Sequence, residues 1–145
     1  AGLRIGYGMA PPSMVELLER IRAPFNVNAL AQRAALAALD DEHHVTNSRM
    51  FNELGKAYLS SELHRLGLQF PPSVTNFLLI DVNRDGRAVA DALLRMGVIV
   101  RPLGGAHLKT HIRVTIGTPP ENERFIDALK SAGRPSRLLA PMSNV

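Results

Sequence analysis

The chain has 145 residues, 46% of them apolar and 21% charged, and its 17 basic and 13 acidic side chains give a net charge of +4. That composition fits one ordinary soluble domain or parts of two. It holds no apolar run near the ~18 residues of a membrane span, no Lys/Arg run interleaved with aromatics for nucleic acid, and no cysteine, which removes disulfides and thiolate metal sites and fits a reducing cytoplasm.

The opening "AGLRIGYG" lacks a basic segment followed by an apolar core, so no signal peptide is expected. It begins inside a strand pattern, as a piece cut from a longer protein would. Residues 3–9 read as a strand in which Leu3, Ile5 and Tyr7 alternate with Arg4 and small glycines. Pro11-Pro12-Ser13 then opens a helix, with Ser13 and Glu16 spaced for a capping box, ending near Arg22 before Pro24. "NALAQRAALAALDD" is a second helix with Asn28 as its cap. A third spans roughly 47–66. Phe51, Leu54 and Tyr58 start its stripe, Leu59, Leu63 and Leu66 continue it, and Gly67 stops it.

The pattern then changes to β-α-β-β-α: "TNFLLIDV", "DGRAVADALLRMG", "VIVRPLG", "HIRVTIG" and "PPENERFIDALKSAG". The fold class expected is α/β, with an α+β small domain whose mixed or antiparallel sheet carries helices on one face. The last residues show no period.

Three motifs invite a functional reading and lose it on spacing. Asp81-Val-Asn-Arg-Asp-Gly86 matches half an EF-hand loop, but the twelfth position is Ala92 and a strand enters it, so Asp85 reads as a helix cap. Gly6-Tyr-Gly8 lacks the third glycine of a dinucleotide fingerprint. His43 and His44 are adjacent, about 100° apart on a helix, and converge poorly on a metal. No metal site is expected.

The arginines remain. Arg4, Arg101 and Arg113 each sit on a short apolar strand-like run, two of them beside glycine. Guanidinium is planar, always charged and matched to carboxylate or phosphate. For any one of them alone, a carboxylate of its own protein or a wet sheet face is the better reading; three together shift the balance toward anion binding without deciding it.

The segments "AGLRIGYGMAPP", "RAPFNVNALAQRAALAALDDEHHV", "ELHRLGLQFPPSVTNFLLIDV", "GVIVRPLGG" and "HIRVTIGTPPENERFIDAL" resemble the C-terminal part of the class I/II pyridoxal-phosphate-dependent aminotransferases, most nearly those acting on histidinol phosphate. The resemblance covers about residues 1–132. It implies that residues 1–46 end a large cofactor-binding domain, 47–134 form the small domain, and 135–145 are a flexible tail. It implies pyridoxal 5'-phosphate as cofactor, a cytoplasmic homodimer with active sites at the subunit interface, and small amino-acid or phosphorylated substrates. Arg4 matches the arginine that binds the cofactor phosphate, Arg113 the one that grips the substrate α-carboxylate, and Arg101 the position linked to the phosphate of histidinol phosphate. Small glycines beside Arg4 would let a phosphate approach the backbone. The family's Schiff-base lysine falls before Ala1, and Lys56, Lys109 and Lys130 do not match its motif, so this chain alone is expected to be inactive. Two alternatives stand beside this: a threonine-phosphate decarboxylase of the same family, and a non-catalytic small α/β anion-binding domain.

Overall fold

The computed structural model describes residues 2–105 and 107–133. The expected flexible tail, 135–145, lies outside the described residues. The chain divides into two compact units, Ala1–Asn47 and Ser48–Val145.

The first unit is helical. Its start is not the strand that alternation suggests over 3–9: a turn at Gly2 and Leu3 leads into irregular backbone as far as Pro11. Arg4 has φ 55°, in the left-handed region that a β-ladder excludes. Alternation supplies a face, but a strand also needs a neighbour for its backbone groups, and no described strand belongs to this unit.

Helix α1, Pro12–Ile21, is capped by Pro11 with no side-chain bond, so the expected Ser13–Glu16 box does not form. Prolines suit the first helical position, and here they start the helix one residue before Ser13. Met14, Leu17, Leu18 and Ile21 lie 51–80% exposed along it. Helix α2, Ala29–Leu39, keeps its expected cap: Asn28 Oδ1 accepts the Ala31 N–H at 2.8 Å.

Helix α3, Glu42–Arg65, starts earlier than the sequence suggests. Asp41 Oδ1 accepts the His44 N–H at 2.8 Å, which makes the acidic run its capped start. It ends as expected at Gly67, φ 69°, where the Leu68 N–H reaches back to the Leu63 carbonyl at 3.0 Å. Its apolar stripe divides: Leu59 and Leu63 are fully buried, while Phe51 and Leu54 are exposed.

The second unit holds a three-stranded sheet with β1 (Phe77–Asp81), β2 (Arg101–Pro102) and β3 (His111–Thr115), plus α4 (Gly86–Arg95) and α5 (Pro119–Ala132). The order along the chain, β1-α4-β2-β3-α5, is the one its periodicities predict. All pairing is antiparallel, with β3 central between β1 and β2. Leu78 and Ile80 of β1 and Ile112 and Val114 of β3 form one core with Leu59, Leu63, Val89, Leu93, Phe125, Ile126 and Leu129 from the helices. The helices therefore cover a single face, because alternate strand residues point to opposite sides.

Strand β2 is shorter than its apolar run. After α4 the Val98 N–H is committed to the Leu93 carbonyl at 3.0 Å, across Gly97 at φ 76°. That cap consumes a donor the ladder would need, and Ile99 lies exposed. At the other edge, the Asp81 N–H donates to the Gln69 carbonyl at 2.9 Å. The Ser73 and Thr75 hydroxyls donate to the Phe77 carbonyl at 2.7 and 3.2 Å.

Candidate functional site

The face of the sheet away from the helices carries the charged residues of the alternating strands. Leu79 opposes Arg113 across β1 and β3, and Arg113 opposes Arg101 across β3 and β2. The two arginines are thus direct cross-strand partners, whose Cβ atoms stand about 5 Å apart in such a pair. Arg113 is half-buried and lays its guanidinium carbon 5.0 Å from the centroid of the Phe77 ring, an attractive cation–π placement. Among the described residues the ion pairs are Arg22–Glu19, Lys56–Glu53, Arg65–Glu62 and Lys130–Glu62; none involves Arg101 or Arg113.

Opposed like charges destabilise a sheet. A group with two negative charges, or two anionic groups of one molecule, placed over both arginines removes that repulsion and accepts several charge-assisted bonds. Next along the same face stand Asp81 and His111, again paired. The Asn83 N–H and the Thr110 hydroxyl hold the Asp81 carboxyl below its usual range, against the effect of burial and with help from His111.

The far end of β3 is fixed by a residue that lies outside every motif of the sequence. Asn122 is buried, and its carboxamide pairs with both backbone groups of Gly117. The Gly117 N–H donates to Oδ1 at 2.9 Å, and Nδ2 donates to the Gly117 carbonyl at 3.0 Å. Thr118 caps α5 beside it, with N–H and Oγ1 both bonded to Glu121 Oε2 at 2.7 Å. The visible signal was Thr-x-x-Glu directly after a strand; the asparagine that follows carries no periodicity of its own.

Arg4 belongs to the other unit and is exposed. A Cβ added at Gly2, Gly6 or Gly8 would meet nothing within 4 Å, so the backbone beside Arg4 lies open. The Asp81–Gly86 loop is a strand-to-helix turn, in which Asp85 Oδ1 caps α4 through the Ala88 N–H at 2.8 Å. His43 faces Asn47 at 3.2 Å on α3. A groove of about 700 Å³, lined by Phe51, Leu54, Tyr58, Ile116 and Thr118, opens beside the end of β3, and neither arginine lines it.

Three comparisons with known proteins bear on this geometry. The family model of aminotransferase class I and II matches residues 1–129. A histidinol-phosphate aminotransferase of Symbiobacterium thermophilum is 52% identical over 132 residues, which are 91% of this chain and 37% of that protein. Histidinol-phosphate aminotransferase 1 of Nitrosococcus oceani is 50% identical over 90% of this chain and 35% of its own length. The chain therefore spans about a third of the curated relatives it matches. The crystal structure of histidinol-phosphate aminotransferase from Sinorhizobium meliloti, in complex with pyridoxal-5'-phosphate, superposes with a TM-score of 0.82 at 28% identity, over 90% of this chain and 37% of that one.

Proposed function

The chain belongs to the class I and II aminotransferases, and on that premise we propose that it forms the C-terminal, anion-gripping part of an enzyme that interconverts histidinol phosphate plus 2-oxoglutarate and imidazole-acetol phosphate plus glutamate. The observation that carries this reading is the opposed pair Arg101 and Arg113 on the open face of the sheet.

In this reading Arg113 binds the α-carboxylate of the amino-acid substrate. A half-buried guanidinium braced on a central strand and against Phe77 is pre-oriented for a bidentate grip. Arg101, at the more exposed edge, takes the phosphate of histidinol phosphate. Holding both ends of a substrate lowers the entropy cost of reaching the reacting geometry. Neighbouring positive charges also give one site a means of accepting glutamate and a phosphorylated partner in turn.

The cofactor, pyridoxal 5'-phosphate, supplies an electron sink when bound. One corner of it fits this chain: the exposed Arg4 offers its phosphate a permanent cation. Lys56, Lys109 and Lys130 do not match the motif of the family's Schiff-base lysine, so the 145 residues alone are expected to be inactive. Residues 1–46 are read as the end of the large domain and 47–134 as the small one. The exposed apolar face of α1 supports burial against further protein in a homodimer. A cytoplasmic setting accords with the lack of cysteine and with the absence, among the described residues, of a helix fit to cross a membrane.

The test is a chimera in which this chain replaces the matching 132 residues of the Symbiobacterium relative. Glutamate formed from histidinol phosphate and 2-oxoglutarate is the expected product. Release of carbon dioxide from phosphothreonine, with no glutamate, would assign the decarboxylase instead.

A further inference from the structure

We propose that Asn122 is a positioning residue for Arg113, and that it acts by clamping the end of β3 that β1 alone supports. The inference rests on the reading of Arg113 as the carboxylate-gripping arginine.

The two halves of β3 are held differently. At Ile112 and Arg113 the strand is paired on both sides, with β1 and with Pro102 and Arg101 of β2. Beyond Arg113 the β2 ladder stops. Val114 and Thr115 are paired with β1 alone, and the Ile116 N–H donates to the Asn76 carbonyl at 2.9 Å. Gly117 lies past that last ladder bond. A primary carboxamide presents one acceptor and one donor side by side, as a peptide group does. Asn122 uses both on Gly117, at 2.9 and 3.0 Å, and so stands where another strand would.

The clamp is itself anchored. Asn122 is 3% exposed, and its own N–H is bonded to the Thr118 carbonyl at 2.9 Å. Helix α3 closes over it at Gly55: a Cβ there would come 2.6 Å from Ile116 Cγ2 and 3.0 Å from Asn122 Nδ2. The helix, the strand end and the clamp therefore meet at one point with no room for a methyl group. A strand pinned at both ends holds its pleat and twist between the pins, and Arg113 is the charged residue there that turns to the open face.

The experiment uses the 145-residue chain, with glutarate as a dicarboxylate probe and Arg113 observed through its Nε–H signal. Asn122→Asp keeps the acceptor for the Gly117 N–H and replaces the donor with a second oxygen. That second oxygen faces the Gly117 carbonyl and repels it, which opens the pair, so exchange of the Gly117 amide should speed up at least tenfold while the amides of α4 stay within twofold. The Arg113 Nε order parameter should fall, and glutarate should bind about fivefold more weakly. A fold-wide loss of stability would not move the Arg113 order parameter in molecules that remain folded, so that readout separates positioning from bulk structure. If Asn122→Asp does not fold, Gly55→Ala presses on the same point from the helix side, and the same fall at Arg113 is expected. An Arg113 order parameter and glutarate affinity unchanged in a folded variant overturn the proposal. If Arg113→Ala leaves glutarate binding intact, the carboxylate reading of Arg113 fails instead, while the response of Arg113 to Asn122→Asp still decides positioning.

Discussion

Arg101 and Arg113 stand directly opposite one another across the short β2–β3 ladder, two permanent positive charges in one cross-strand pair. Without an anion this costs the fold a fraction of a kcal/mol. Arg101→Gln should therefore raise the stability of the anion-free chain by roughly 0.2–1 kcal/mol. Added phosphate should stabilise the native chain more than this variant. Urea unfolding with and without phosphate measures both, and a variant less stable than the parent in anion-free buffer contradicts the repulsion.

Arg113 and Arg4 are read as serving different anions. In the chimera, Arg113→Ala should raise the KM for glutamate at least a hundredfold while cofactor affinity, read from its absorbance, changes less than threefold. Arg4→Ala should do the reverse. Cofactor loss as the main effect of Arg113→Ala would show the assignment to be wrong.

Helix α3 should respond to truncation in two ways along its length. Leu59→Ala removes a fully buried side chain and should cost about 2–5 kcal/mol. Leu54→Ala, 61% exposed on the same helix, should cost under about 1 kcal/mol in the chain alone. Chemical unfolding of both variants checks the contrast, and equal losses would mean that the exposed half is buried in solution.

Acid should weaken the fold through particular carboxyls. Glu62 is held low by Lys130, with Arg65 assisting, and Glu121 by the Thr118 hydroxyl and N–H. Asp81 is held low by the Asn83 N–H and the Thr110 hydroxyl. A carboxyl whose pKa is lower folded than unfolded adds stability above its unfolded value, and loses it as pH falls through the folded one. The urea midpoint should thus stay level down to about pH 5 and drop below the ordinary carboxyl range, about 4. Glu121→Gln should make the drop shallower. A midpoint constant to pH 3 would contradict these bonds.

Features set by near neighbours were legible in the sequence. Asn28 and Asp85 cap their helices as expected, and Gly67 and Gly97 end theirs with positive φ. The alternation of "HIRVT" holds, with Ile112 and Val114 buried and Arg113 half-buried on the opposite face. Features set by distant partners were not. Nothing near Arg4 reveals whether a strand lies alongside it, so alternation there misled. The apolar run at Val98 has a strand's composition, but its N–H is committed to the Leu93 carbonyl of the preceding helix. That Arg101 meets Arg113 depends on the register of two strands joined by a loop. The part of Asn122 depends on its burial, which one residue in a helical pattern does not disclose.

Exposed strand edges template the stacking of further chains. Here one edge is two residues long, and Pro102 within it has no N–H to offer. Along the other, Gln69 closes the Asp81 end and the hydroxyls of Ser73 and Thr75 occupy the Phe77 carbonyl. The apolar run Phe-Leu-Leu-Ile thus sits between two blocked ends. Growth of this sheet from copy to copy through its edges is therefore disfavoured.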